Sequence, residues 1–414
     1  MPVGGICCAT GEALMSDAAR PLKTVETPTI DDRAEVRART ALAPLAERAQ
    51  PWALAEGAHW AVRRSPARFE RVFIAANNGG IGGGEVMLLR LAGAMQALGV
   101  DVTVVAPAPS AVLNEALHRG LPAIGLAARR RATWMWALRR WDRVRPEGLL
   151  WCNGLVPSLA TARRAGRLVH LHQEPAGIRR LLAKLARRDA VTTLVPSHAM
   201  LETVPEALVL PNWTERIRRA KPAPDKDGRI RIGFLGRLGL DKGVHILADA
   251  LGLLEDRMPG RFRLVLAGEP LFVPEEDLVV MEEALGPVAR LTHRAGWVDT
   301  ADFFDTIDLL VVPSVVPESF GLVAAEAMAA RVPLIVSDAG ALPEVVGDAA
   351  QVVPAGDAVA LADRIAALAT GETPARRGPL FERWFAEFSP AAGVARMREL
   401  VDTLGVRRGG PPQA

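Results

Sequence analysis

The feature that most constrains this chain is one alternation that runs twice. From Arg71, short Val/Ile/Leu-rich runs recur: RVFIAA (71–76), DVTVVAP (101–107), LPAIGL (121–126), GLLWC (148–152), RLVHLH (167–172) and AVTTLV (190–195). Longer stretches separate them, the clearest a helical one over 85–98 with Val86, Leu89, Met95 and Leu98 on its apolar positions and Gly99 as its cap. The series breaks at the charged, proline-containing TERIRRAKPAPDKDG (214–228) and restarts with RIRIGFLG (229–236), RFRLVLAG (261–268), VARLTHRAG (288–296), DLLVVPS (308–314) and VPLIVS (332–337). Helices fit near 243–256, near 275–285 and from about 320. Strands that are apolar throughout belong to parallel sheets covered on both faces. The predicted fold is therefore α/β, with two Rossmann-like, doubly wound domains facing across a cleft. Ligands in such folds gather at the carboxyl ends of the strands.

The predicted layout is an N-terminal extension (1–68), a first domain (69–213), a linker (214–228), a second domain (229–388) and a C-terminal helix and tail (389–414). The stretch 374–404 reads as helical, and with Trp384, Phe385, Phe388 and Met397 it has the side chains to pack back across both domains. The extension has one short helical possibility at 33–50, and Met15, followed by Ser16 and Asp17, reads as a second possible start. Three cysteines, Cys7, Cys8 and Cys152, offer neither a disulfide framework nor a CxxC metal spacing, so a reducing, cytoplasmic setting is expected. A net charge of +3 over 414 residues does not announce a nucleic-acid partner.

Four segments carry chemistry. In PESFGLVAAEAMAARVPLIVSDAGALPEVV (317–346), a loop after a strand leads into a helix, whose free N-terminal N–H groups suit a diphosphate. Glu318 stands before that helix and Glu326 about two turns into it; carboxylates match pairs of sugar or ribose hydroxyls. Spacing alone equally fits an ordinary helix with two solvated glutamates. In GFLGRLGLDKG (233–243), Arg237 and Lys242 flank a glycine turn and could hold a departing diphosphate, although two surface cations are the commoner reading. The glycine loop of NNGGIGGGEVMLLRLA (77–92) lets backbone approach a ligand, but a glycine loop on its own is more often a flexible turn. In VHLHQEP (169–175), period-two alternation puts His170 and His172 on one face, as a metal pair, core histidines or a ligand contact.

Taken together, these segments resemble the retaining GT-B glycosyltransferases of family 4. ESFGL followed by EAMA matches that family's glutamate-x7-glutamate motif, DAGALPEVV its D-x-G-G-x-P-E-V-V, GRL with the following KG its donor-diphosphate turn, and GG-x-E its first-domain loop. The resemblance covers about 71–404. It implies transfer of a sugar, such as a hexosyl unit, from a UDP- or GDP-sugar to a glycan, lipid-linked or small-molecule acceptor, with no cofactor and no metal. The implied catalytic residues are Glu318, His172, Arg237 and Lys242. Gly82, Gly83, Phe320, Gly321, Leu322 and Glu326 are implied to bind the donor, the three residues 320–322 through backbone donors. Glu85, His170, Ser197, Asn212 and Trp297 are further candidates around the same ligand. Ala341, Trp213 and Arg331 stand where the family has glycine. Alternatives on the same fold are a non-catalytic sugar-nucleotide binder and a phosphorylase- or epimerase-like activity. A phosphorylase of the pyridoxal-phosphate type would need a lysine, and Lys242 is the one that follows the linker. The segment ARRRATWMWALRRWDRVR (128–145) sets Trp134, Leu138 and Trp141 on one face, which fits either a helix covering the sheet or peripheral membrane contact.

Overall fold

The computed structural model describes residues 69–219, 227–271, 273–372 and 377–408. The extension 1–68, with its helical possibility and Met15, lies outside the described residues, as do 220–226 of the linker. The first domain runs β1 (Arg71–Ala75), α1 (Gly83–Ala97), β2 (Asp101–Ala108), α2 (Ala111–His118), β3 (Ala123–Ala127) and α3 (Arg131–Asp142). It continues with β4 (Leu149–Asn153), α4 (Leu155–Ala160), β5 (Arg167–His170), α5 (Ile178–Arg187), β6 (Thr193–Val195) and β7 (Leu208–Val209). The second domain runs β8 (Ile230–Leu235), α6 (Val244–Arg257), β9 (Phe262–Ala267), α7 (Glu275–Leu285), β10 (Thr292–Gly296), α8 (Thr300–Thr306) and β11 (Leu309–Val312). Then come α9 (Leu322–Ala329), β12 (Leu334–Ser337), α10 (Leu342–Val346), β13 (Val352–Val353) and α11 (Ala358–Thr370). The chain closes with α12 (Arg377–Arg383), a π-helical turn (Trp384–Phe388) and α13 (Pro390–Thr403).

Every strand pair is parallel. The strand orders are β3-β2-β1-β4-β5-β6-β7 and β10-β9-β8-β11-β12-β13. Both follow the 3-2-1-4-5-6 order of a doubly wound domain, so each sheet reverses direction at a switch point: β1/β4 in the first and β8/β11 in the second. The glycine loop follows β1, and the Arg237–Lys242 turn follows β8. The alternation of the sequence has therefore delivered two of its motifs to the two crevices where such folds bind ligands.

Each sheet is apolar on both faces because both are covered. Helix α1 lies on one face of the first sheet, with Met87, Leu88, Leu91 and Met95 in its core. Helix α3 lies on the other, where Trp134 and Leu138 are buried and Trp141 packs edge-on against Phe73 at 5.1 Å. The Trp134 indole also donates to the Ala76 carbonyl at 3.2 Å. The face of 128–145 that could have met a membrane is thus turned into the sheet. Helix α13 leaves the second domain and brings Met397, Leu400, Val401 and Leu404 into the core of the first. At the crossing, Trp384 donates to the Thr214 hydroxyl at 2.8 Å, inside the core.

Candidate functional site

The second-domain wall starts where β8 ends. Gly243 begins α6 with φ +74°, and a Cβ there would lie 1.9 Å from the Pro313 carbonyl oxygen. Glycine is required, and its close approach to the end of β11 fixes Lys242 over the switch point. Lys242 Nζ donates to Glu318 Oε1 at 2.6 Å, and the Ser314 hydroxyl donates to the same oxygen at 2.7 Å. Ser337 in turn donates to the Ser314 carbonyl at 2.6 Å, which ties the end of β12 into the network. Arg237 pairs with Asp241, four residues on. Lys242, Glu318 and Ser314 therefore meet at one point, with Arg237 in the adjoining turn.

Glu318 is held through its backbone. It bridges to Gly340, its N–H donates to the Ala339 carbonyl at 3.3 Å, and its carbonyl accepts from Ala341 N–H at 2.9 Å. Ala341, at a position where the resembled family has glycine, keeps an ordinary right-handed φ of −80°, so the methyl is accommodated without strain. The helix that follows opens later than the sequence suggests. Ser319–Phe320–Gly321 precede it, Gly321 caps it at φ +89°, and α9 begins at Leu322. Glu326 is consequently its fifth residue, a little over one turn in rather than two. The Phe320 ring lies in the core, edge-on to Phe388 at 5.4 Å, which leaves only its backbone for a ligand. In the first turn of α9, Ala324 N–H bonds back to the Gly321 carbonyl at 3.0 Å, which leaves the Leu322 and Val323 N–H groups without an intrahelical partner.

Glu326 sits deep enough that burial pushes its pKa up to about 7, opposed chiefly by the charge of Arg90 on α1. Arg90, whose own pKa burial lowers, donates to the Trp213 carbonyl at 2.6 Å. A first-domain cation thus faces a second-domain carboxylate.

The first-domain wall is built from the glycine loop and the end of β5. Gly82 caps α1, and a Cβ on Gly83 would stand 3.1 Å from Leu322 of the second domain. A Cβ on Gly84 would stand 3.5 Å from His172. Asn153, at the carboxyl end of β4, donates to the Gly84 carbonyl at 2.9 Å and pairs through its amide oxygen with His172 Nε2 at 2.7 Å. An amide oxygen only accepts, so Nε2 carries the hydrogen. Burial holds the His172 pKa down at about 4, and the ring is neutral. Across the cleft, Ser319 donates to the His172 carbonyl at 2.7 Å.

Other candidates are placed elsewhere. His170 does share a face with His172, at 4.0 Å between ring centroids, but it is fully buried, and desolvation keeps it neutral. It is a floor for His172 and does not reach the cleft. Glu85 is buried at the start of α1, where its Oε1 has no hydrogen-bond partner, and burial raises its pKa. Ser197 and Asn212 are buried just beyond β6 and β7, where Ser197 Oγ and Asn212 Oδ1 have no hydrogen-bond partner. Trp297 follows β10 and is 73% exposed. The structure thus brings together Glu318, Lys242, Arg237, Leu322, Gly83 and His172. It adds Asn153, Ser314, Asp241 and Arg90, which the motif reading missed. Asn153 and Ser314 had a legible signal, since each is a polar residue closing an apolar strand on the ligand side of its sheet.

Two family profiles match the chain: "Glycosyltransferase Family 4" over residues 81–220 and "Glycosyl transferases group 1" over 229–370. The chain belongs to the family 4 (group 1) glycosyltransferases. Among curated relatives, it is 30% identical over 236 residues to the phosphatidyl-myo-inositol mannosyltransferase of Mycobacterium leprae, covering 54% of this chain and 61% of that one. It is 32% identical over 162 residues to the glycogen synthase of Mycobacterium tuberculosis, covering 38% and 37%. The chain therefore spans less than two thirds of the length of either. Among solved structures, HepE of Anabaena in complex with UDP-glucose superposes with a TM-score of 0.67 at 18% identity, over 80% of this chain and 99% of that one. Sucrose-phosphate synthase of Thermosynechococcus elongatus gives 0.65 at 19%, over 81% and 99%. These likenesses establish the GT-B arrangement of two Rossmann-like domains. Among the described residues, no helix is long and apolar enough to cross a membrane.

Proposed function

We propose that this protein transfers a hexosyl group from a nucleoside diphosphate sugar to a glycan, lipid-linked or small-molecule acceptor, with retention of configuration and without a metal. The observation that carries the reading is the convergence of Lys242, Glu318 and Ser314 within 2.7 Å contacts at the β8/β11 switch point, opposite Gly83 and His172. In this reading Lys242 and Arg237 take the diphosphate as its bond to the sugar breaks, and the α9 N-terminus adds partial positive charge. Together they provide the charge that a divalent metal would otherwise supply. Glu318, oriented by Ser314 and the Gly340 bridge, receives hydroxyls of the transferred sugar, and Glu326 those of the ribose. His172, neutral and tied to Asn153, positions a sugar hydroxyl and does not act as the base. The acceptor oxygen bonds to the anomeric carbon on the face the diphosphate leaves, an assignment that follows the family resemblance; the bond to the diphosphate breaks, and the acceptor's proton departs on the diphosphate oxygen. A cytoplasmic location belongs to the same proposal. Cys152, a buried free thiol, suits a reducing compartment.

Because the Anabaena neighbour binds UDP-glucose, UDP-sugars are the first donors to test, followed by GDP- and ADP-sugars. Calorimetric titration with EDTA present should give saturable binding of one nucleotide class, weakened by Glu326→Ala and retained by Lys242→Ala at much lower turnover. No response to any donor, or full turnover in both variants, would overturn the assignment.

A further inference from the structure

Helix α5 is built the wrong way round for a helix that only covers a sheet. It buries small residues, Ala183 and Ala186, and turns large ones outward: Ile178 is 71% exposed, Leu181 63% and Leu185 41%. At 100° per residue these three fall within an arc of about 60°. Beside the stripe, Arg180, Lys184 and Arg188 form an exposed row at successive spacings of four. No acidic residue occurs from Pro175 to Arg188. Cations in a last turn complement the helix dipole, which accounts for some of this charge. It does not account for three aliphatic side chains held in water on one stripe, where scattered single residues would be ordinary.

Helix α3 covers the same face of the first sheet, since Cys152, in its core, is the register partner of Val169 under α5. From α3, Trp136 projects outward at 65% exposure with the Arg140 guanidinium 5.6 Å over its ring. This layer therefore carries a second exposed aromatic–cationic pair, although the apolar face proper of α3 is buried.

We infer that α5 is a docking surface for an anionic lipid bilayer. The stripe Ile178–Leu181–Leu185 enters the acyl boundary, and Arg180, Lys184 and Arg188 meet lipid phosphates. A protein groove could cover the stripe, but charge complementarity selects the bilayer. A continuous cationic flank beside an apolar edge matches an interface that offers hydrocarbon and phosphate side by side. Ile178 lies six residues beyond His172, so docking here sets the first-domain wall of the cleft against the membrane. The inference stands apart from the transfer reaction and fails separately from it.

Flotation of the full chain tests it, using vesicles of phosphatidylcholine alone and of phosphatidylcholine containing phosphatidylglycerol. The wild type should float with the anionic vesicles at low salt, and not with the neutral ones. Leu181→Glu with Leu185→Glu should reduce partitioning at least about tenfold, and each of Arg180→Ala and Lys184→Ala about fivefold. These side chains are exposed, so the variants should melt and titrate with nucleotide as the wild type does. Equal binding to neutral vesicles would overturn the inference. So would unchanged flotation of the double variant, or a wild-type dimer in sedimentation that Leu181→Glu dissociates, since a second copy would then cover the stripe.

Discussion

At the scale of single residues, the site carries a conflict between stability and binding that Glu326 exposes. Its carboxyl is raised to about 7 by burial from an ordinary 4.5. Between those values the folded state holds a proton that the unfolded state has lost, so this group's contribution to stability falls as pH rises through the window. In the proposed function, recognition of ribose hydroxyls by the carboxylate runs the other way and needs the proton gone. Nucleotide affinity should therefore weaken about tenfold from pH 8 to pH 6. Glu326→Gln should bind weakly at both pH values, with the slope abolished, and should be more stable than wild type at pH 8 by about 3 kcal/mol and indistinguishable at pH 4. Calorimetry and thermal melts at those pH values check both halves, and a wild-type slope in the glutamine variant would remove Glu326 from the binding site. Arg331 illustrates another kind of residue. It takes φ +56° just past α9, with its own N–H bonded to the Met328 carbonyl and the next residue's to Ala327, the bonding of a glycine-terminated helix. Its guanidinium lies 4.0 Å over Phe381, which helps offset the strained backbone. Since Arg331→Ala and Arg331→Gly both lose that contact but only glycine relieves the strain, the glycine variant should be the more stable of the two by about 1 kcal/mol in denaturant titration.

At the scale of elements, legibility followed periodicity and chemistry. Strands with unbroken Val/Ile/Leu runs were readable to within a few residues, because a doubly covered parallel sheet tolerates little else. The two-residue strands β7 and β13 have too few residues to show a pattern, and α11 carries Leu361, Ala362 and Ile365 at helical spacing but no motif to draw attention to it. Helix α9, expected from about 320, starts at Leu322 because Gly321 takes φ +89° and the Ser319 hydroxyl reaches across the cleft to the His172 carbonyl. What sequence could not supply was pairing: nothing in the spacing of Arg90 and Glu326, or of Asn153 and His172, reveals that they meet. Trp213 and Gly393 form such a pair as well. Trp213 is buried where the resembled family has glycine, and a Cβ on Gly393 of α13 would lie 2.3 Å from its indole. The missing methyl on one element makes room for the extra ring on the other. Gly393→Ala should then cost about 1–3 kcal/mol. Combined with Trp213→Ala it should cost at least about 1 kcal/mol less than the sum of the single changes, as read from a double-mutant cycle of urea midpoints. Strict additivity would mean that α13 shifts to relieve the clash.

At the scale of the whole molecule, the cleft is only as well formed as the ties between its walls. Some of these lie away from the chemistry, at the polypeptide crossing, where Trp384 bonds Thr214 and α13 joins the first core. Others lie across the opening. Glu344, on α10, accepts from His198 N–H at 2.9 Å, His198 Nδ1 at 3.0 Å and Ala199 N–H at 3.1 Å, all in the turn after β6. Glu344 belongs to the DAGALPEVV segment whose other end, through Gly340 and Ala341, holds the backbone of Glu318. One short stretch thus positions a site carboxylate and fastens the second domain to the first. Hydrogen bonds to a carboxylate contribute more than neutral ones, and losing this set should weaken the closed arrangement by about 2 kcal/mol. Donor contacts gathered on the second domain alone would survive that loss, whereas alignment with His172 and the glycine loop would not. Glu344→Ala should therefore leave nucleotide affinity within about twofold, lower turnover by about tenfold or more, and speed amide exchange at His198–Glu202. Faster exchange with undiminished turnover would show that the tie is structural and that transfer proceeds without it. Lost nucleotide affinity would place the donor against both walls, so that binding itself closes the cleft.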